Sequence, residues 1–417
     1  MIRVLFLTES FHPVFGGGER HIHELGRRLV AGGDVATVVT RRGEQSWPAE
    51  DSLDGIRIVR VPPPGPGRTG KYAMTPSAMA AVWRERAAHD VLVVRGTRVL
   101  GLPGLAAGRA AGLPVVLQPD INGELSGEVY TWGTRLAQRP WSTAIGVAVR
   151  ARNLLFRDAD AFVAMSRRIR DELLAAGVAP EKIAHLPHGV DTERFRPASP
   201  DERAALKARL GLPGTSLVVT YTGRLLRGKG LEALVGAFAA VAARHPAAHL
   251  LLVGSGAGQA LSVEDELRRR VADAGLAGRV TFAGRVDAVE DHLRASDVFA
   301  FPSEFEALGI SLIEAAACGL PGIGARTGGI VDVIEDGASG VLFGPRDTEA
   351  LAAELDRLLA DASLRARLGA RAREIARGRF DLEDSVLRYR ALFRAISSRR
   401  AASPTARAPR ADAALPR

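Results

Sequence analysis

Short apolar runs, each closed by a glycine or small polar loop and followed by a segment of helical periodicity, recur along most of this chain. That alternation restricts the fold more than any other feature. The series opens with Val4-Leu5-Phe6-Leu7-Thr8, then a loop through Gly16-Gly17-Gly18. A helical stretch from Glu19 to Ala31 follows, with Ile22, Leu25 and Leu29 as its apolar positions and Gly32-Gly33 as its end. Strand-like runs come next at 35–40, 57–61, 91–94, 115–118 and 161–165. Runs this apolar read as strands buried on both faces, in a parallel sheet covered by helices. The pattern breaks around Phe195-Arg196-Pro197-Ala198-Ser199-Pro200 and restarts at Leu217-Val218-Val219-Thr220-Tyr221-Thr222, continuing at 250–253, 280–283, 298–301, 322–324 and 341–343. The expectation is therefore α/β, with two doubly wound domains. Ligands of such sheets sit at the carboxyl ends of the strands, so the loops after Thr8, Thr222 and Val253 are expected to face one cleft between the domains.

Within the second series, the stretch from Phe301 to Pro321 places two carboxylates, Glu306 and Glu314, on a pattern otherwise apolar enough to be core. A strand ending at Pro302, a polar loop holding Glu306 and a helix from about Gly309 to Gly319 account for it. The N-terminus of that helix, at Ala307, Leu308, Gly309 and Ile310, offers unpaired amides and a partial positive charge that suit a phosphate. From Gly309 to Glu314 the helix rises roughly 7.5 Å, the scale of the step from a pyrophosphate to its ribose. Taken alone, the stretch also fits a capping Glu306 and a partly exposed helical Glu314. Gly223-Arg224-Leu225-Leu226-Arg227-Gly228-Lys229-Gly230 lies between a strand and a helix, and Lys229 is one of only four lysines. Arg224 and Lys229 would neutralise a diphosphate there, Arg as a planar fork and Lys as a point charge.

With 417 residues, 47% of them hydrophobic, the chain can fill two or three cores, and no apolar run approaches the length of a membrane span. No signal peptide is visible, and the single cysteine, Cys318, excludes an intramolecular disulfide; both fit a cytoplasmic protein. Cys318 itself reads as a small core residue. The net charge of +9 does not point to nucleic acid, because five arginines and one aspartate fall after Ser397, in a segment that reads as a disordered tail.

Together these residues resemble the retaining glycosyltransferases of family 4, which have the GT-B fold of two facing Rossmann-like domains. Glu306 and Glu314 match the family's Glu-x7-Glu motif, and Arg224 with Lys229 match its Gly-Arg…Lys-Gly loop. His188-Gly189-Val190-Asp191 looks like its Asn-Gly-Val-Asp segment, and Gly254-Ser255-Gly256 and Thr327-Gly328-Gly329 stand where family loops stand. The resemblance implies an acceptor-side domain over 1–196, a sugar-nucleotide domain over 197–380, a helix over 381–396 returning to the first domain, and the tail over 397–417. It implies a nucleotide-sugar donor whose diphosphate meets Arg224 and Lys229, whose ribose meets Glu314 and whose sugar hydroxyls meet Glu306. The amides of Gly16 and Gly17 approach the phosphates, and the loop at Gly254, read from its own glycines, is a further nucleotide contact. No metal or other cofactor is expected, and the acceptor is a saccharide, a lipid-linked molecule or a small molecule. The family usually has His after the strand at 115–118, whereas this chain has Asp120 in or near that place. Asp120 joins the candidate catalytic set as a contact to a sugar or acceptor hydroxyl, with a turn-forming aspartate as the alternative. A catalytically silent sugar-nucleotide-binding partner and a GT-B epimerase are the other functions this pattern would serve.

Two features read as decoys or as further surfaces. Asp158-Ala159-Asp160 spells the metal-bridging Asp-x-Asp of another glycosyltransferase fold, but it precedes a strand where that motif should follow one. Between Arg135 and Arg157 lie five Arg, no acidic residue and Trp141, with Trp132 just before. That composition suits a helix face resting on an anionic membrane, or a solvated basic face over a buried Trp.

Overall fold

The computed structural model describes residues 1–14, 16–65, 69–131, 141–259 and 261–402. It divides into two compact units, one of Met1–Ala164, Ile169–Leu186 and the chain from Val386, the other of Met165–Arg168 and Pro187–Ser385.

The first unit holds strands β1 (Arg3–Leu7), β2 (Val35–Arg41), β3 (Glu50–Leu53), β4 (Ile56–Val61), β5 (Val91–Arg95), β6 (Val115–Gln118), β7 (Ala161–Ala164) and β8 (Ile183–His185), in the order β3-β4-β2-β1-β5-β6-β7-β8. All pairings are parallel except β3 with β4. The central strands are apolar because both faces are covered: β5 and β6 are buried at every position. β3 and β8 are absent from the strands expected above. β3 reads Glu-Asp-Ser-Leu and is half exposed at a sheet edge, and β8 spans three residues, so neither carries an apolar signal.

The last helix, Leu382–Ala402, begins in the second unit and contributes to the first from Val386. In the first unit Tyr389 and Phe393 are fully buried, Phe393 edge-on to Phe6 with ring centroids 6.5 Å apart. Arg390 Nε donates to Asp34 Oδ2 at 2.6 Å, and Asp34 also accepts from the Ile2 amide at 2.8 Å. The Asp34 side chain is 1% exposed and also lies 3.9 Å from Arg394, so the last helix meets this buried carboxylate with two cations. The helix runs on to Ala402, into the range expected to be a disordered tail; residues 403–417 lie outside the described residues.

The second unit holds β9 (Leu217–Thr222), β10 (Ala248–Val253), β11 (Val280–Gly284), β12 (Val298–Phe301), β13 (Gly322–Ala325) and β14 (Gly340–Phe343), all parallel, in the order β11-β10-β9-β12-β13-β14. The strand order reverses between β9 and β12, as it does between β1 and β5 in the first unit. These two switch points are where open α/β sheets leave a crevice.

Candidate active site

At the β9/β12 switch point three loops are tied together by backbone hydrogen bonds. The Glu304 amide donates to the Gly228 carbonyl at 3.0 Å, and the Gly329 amide to the Glu306 carbonyl at 3.1 Å. The loop after β9 thereby sits against the loop after β12, and that against the Thr327–Gly329 loop after β13. Gly230, at φ +69, allows the closest approach: a Cβ there would lie 2.1 Å from the Pro302 carbonyl oxygen. Only glycine brings the N-terminus of helix Leu231–Ala242, with Lys229 just before it, so near the end of β12.

Lys229 Nζ consequently meets Glu306 Oε2 at 2.7 Å, with the two side chains 22% and 17% exposed. Arg224 is exposed, and its guanidinium forms no ion pair among the described residues; its carbonyl accepts the Tyr221 hydroxyl at 3.2 Å. Tyr221 is buried and stacked on Phe301, ring centroids 6.1 Å apart. Its hydroxyl is pushed well up, first by burial and then by the charge of Glu306, against the opposing pull of Arg224. Gly254 closes β10, and its amide donates to the Gly284 carbonyl at 2.7 Å.

Helix Ile310–Ala317 is preceded by Gly309 at φ +91, with Ala307 and Leu308 buried before it. Glu314 is 4% exposed, so the alternative of a partly exposed helical glutamate is overturned: the helix buries the face that carries it. Its charge is felt by Cys318, whose thiol is pushed up by burial first and by Glu314 second. Cys318 is 2% exposed, the core residue expected.

In the first unit the helix after β1 starts at Gly17, two residues earlier than expected, with Gly16 extended as its N-cap. The Gly16 amide donates to Glu19 Oε2 at 2.9 Å, and Ser10 Oγ to Glu19 Oε1 at 2.5 Å. The Gly16 amide is thus engaged by its own helix, and the amides of Gly17 and Gly18 belong to the first turn, where the helix supplies no acceptor. Asp120 is in an ion pair that the sequence did not announce. Its Oδ1 accepts from Arg95 Nη2 at 2.5 Å and Nε at 3.0 Å. Glu124, 2% exposed, accepts from the Asp120 amide at 3.2 Å and from Thr97 Oγ1 at 2.5 Å. Burial, followed by the Asp120 charge, pushes the Glu124 carboxyl up to about 7.

Asp160 Oδ2 accepts from the Val115 amide at 2.8 Å and lies 3.5 Å from Arg109, and Asp158 lies 3.7 Å from Arg109. Asp160 thereby fastens the start of β7 beside β6. Among the described residues no three His, Cys, Asp or Glu side chains come together as a metal site.

Sequence profiles of two families match the chain in tandem: Glycosyltransferase Family 4 over residues 15–194 and Glycosyl transferases group 1 over residues 202–375. A curated relative from Mycolicibacterium smegmatis, named GDP-mannose-dependent alpha-(1-6)-phosphatidylinositol monomannoside mannosyltransferase, is 30% identical over 89% of this chain and 93% of its own. The chain is a family 4 glycosyltransferase. A D-inositol 3-phosphate glycosyltransferase from Acidothermus cellulolyticus is 29% identical over 85% of this chain and 80% of its own. Among solved structures, sucrose-phosphate synthase from Thermosynechococcus elongatus superposes with a TM-score of 0.79 at 24% identity, covering 96% of this chain and all of that one, a likeness that gives the GT-B fold.

Of the residues named for this glycosyltransferase from sequence, Arg224, Lys229, Gly254, Glu306, Ala307, Leu308, Gly309, Ile310 and Glu314 fall in the second unit around one switch point, and Gly16, Gly17 and Asp120 in the first. Arg95, Thr97 and Glu124 were missed. Arg95 left a trace: an arginine ending the otherwise apolar Val91-Leu92-Val93-Val94 is a charge at the carboxyl end of a buried strand. Of the segment between Arg135 and Arg157, residues 135–140 lie outside the described residues, as does Trp132. Its remainder forms helix Trp141–Phe156, on which Val147, Leu154 and Leu155 are 62%, 59% and 58% exposed.

Proposed function

We propose that this family 4 enzyme moves a hexosyl group from a nucleotide-diphosphate sugar to an acceptor hydroxyl, with retention and without a metal bridging the diphosphate. The observation that carries this reading is the Lys229–Glu306 pair at 2.7 Å, a cation and a carboxylate on adjoining loops at a switch point, with the helix terminus at Gly309 between the two family glutamates. Lys229 and exposed Arg224 receive the diphosphate, Glu306 turns from Lys229 to the hydroxyls of the sugar, and Glu314 accepts from the ribose. Chemistry then depends on the leaving group: fixed cations and amides stabilise the departing diphosphate as positive charge grows on the sugar, and the acceptor attacks from the same face.

For the donor, GDP-mannose is the first to test, because the mycobacterial relative is named for its dependence on it. The names of the relatives likewise suggest acceptors built on a cyclic polyol phosphate, free or lipid-linked. A cytoplasmic enzyme resting on an anionic membrane fits the second case, and the exposed apolar positions of helix Trp141–Phe156, with exposed Arg150 among them, support it. No helix among the described residues is long and apolar enough to cross a membrane.

The test is release of nucleoside diphosphate from a panel of nucleotide sugars, with and without inositol phosphate or phosphatidylinositol vesicles. Acceptor-dependent release from one donor is expected, with the anomeric configuration kept in the product. Tight binding with no release under any acceptor would favour a silent partner subunit instead.

A further inference from the structure

We infer that Asp120 is a positioning residue for the glycine loop: it holds Arg95 so that the guanidinium clasps the Gly18 carbonyl, and it does not take the place of the family histidine at a substrate. The kinetic consequence rests on the sugar-nucleotide reading; the structural consequence does not.

Arg95 ends β5 and is 3% exposed. One edge of its guanidinium is fixed by Asp120 Oδ1, which accepts from both Nη2 and Nε. Because the group is planar and rigid, fixing that edge also aims the remaining nitrogen, and Nη1 donates to the Gly18 carbonyl oxygen. Gly18 lies in the first turn of helix Gly17–Ala31, and a Cβ there would stand 2.6 Å from Arg95 Nη2 and 3.2 Å from Cζ. The guanidinium therefore lies against the turn where any other residue would carry its side chain.

Asp120 is itself braced. Its amide donates to Glu124 Oε1, and Glu124 is anchored by Thr97. The other carboxylate oxygen, Oδ2, faces Gly96, 3.1 Å from where a Cβ would be, with Glu9 Oε1 3.8 Å from the same point. The glycine loop is thus held twice, at Gly16 by Glu19 and at Gly18 by Arg95 under the direction of Asp120. Gly16 and Gly17, named from the family resemblance as phosphate contacts, lie in the segment held.

Hydrogen exchange followed by mass spectrometry on the full chain tests the clasp through the amides of residues 16–22. Asp120→Asn and Arg95→Lys are each expected to speed their exchange about tenfold, the scale of one charge-assisted hydrogen bond, and the double variant no further. Gly18→Ala, which pushes the guanidinium away from the opposite side without touching Asp120, should give the same loosening and guards against a variant that fails to fold. In kinetics, Asp120→Asn should weaken GDP binding several-fold, about fivefold to tenfold, while acceptor KM stays put. Unchanged exchange at 16–22 in Asp120→Asn, or a raised acceptor KM with unchanged GDP affinity, would overturn the inference. The exchange rates decide the clasp whether or not any sugar nucleotide turns over.

Discussion

The two sheets end differently at their switch points. In the second unit the charged side chains stay within reach of a ligand: Arg224 is exposed, and Lys229 and Glu306 meet each other at a part-open rim, 22% and 17% exposed. In the first unit the charges at the corresponding end are tied into a network, Arg95 at 3% and Glu124 at 2% exposure with the Asp120 side chain between them at 36%, and helix Trp141–Phe156 of that unit carries exposed apolar positions. On the readings proposed above, a shared architecture is put to two uses: one switch point keeps its charges for a ligand, the other uses them to set the shape of its own loop.

The largest effect that would sharpen this contrast is Glu306→Gln. Its carboxylate is proposed to hold the sugar as charge develops, so turnover should fall on the order of a hundredfold or more, with GDP affinity and thermal midpoint near those of the wild type. An equal loss in both turnover and stability would make Glu306 part of the framework, like the carboxylates of the first unit.

Glu124→Gln should show the reverse. The folded chain keeps the Glu124 proton up to about pH 7, whereas the unfolded chain releases it near the ordinary carboxyl value. Stability should therefore fall as pH rises from about 4.5 through about 7 and level off above, a slope worth at most on the order of 3 kcal/mol. Urea unfolding of wild type and Glu124→Gln at pH 5 and pH 8 reads it: the variant loses the slope. His21 acts in the opposite sense. Burial, then the nearby Arg95, holds its imidazole well below the usual range, so its neutral form is favoured and stability falls as pH drops below about 6.5.

Smallest is the effect at the apolar face. Replacing Leu154 and Leu155 by Gln should lower co-sedimentation with anionic vesicles at low salt by about tenfold while leaving turnover of a soluble acceptor alone. No binding of the wild type at low salt would remove the membrane from the account.

How far each region could be read from sequence follows the same contrast. The adjacency of the loops in the second unit was legible because they are short segments, 223–230, 254 and 306–314, in which glycine spacing and a rare lysine record the backbone geometry. The buried parallel strands of both units were legible from their unbroken apolar runs. The network of the first unit was not: residues 18, 95, 97, 120 and 124 meet only through sheet order, and Asp120 seen alone was as good a turn former as a ligand. β3 escaped because an exposed edge strand needs no apolar residues, and the early start of the first helix because three glycines look like a loop until Glu19 is seen to cap them.

Calorimetric titration of GDP, with UDP as a second probe, into the wild type and Lys229→Ala bears most directly on the claim that the β9/β12 switch point takes a diphosphate. The account predicts that Lys229→Ala weakens whichever nucleotide binds, by roughly tenfold to a hundredfold, with the fold unchanged by circular dichroism. Equal affinity in the two proteins would contradict it.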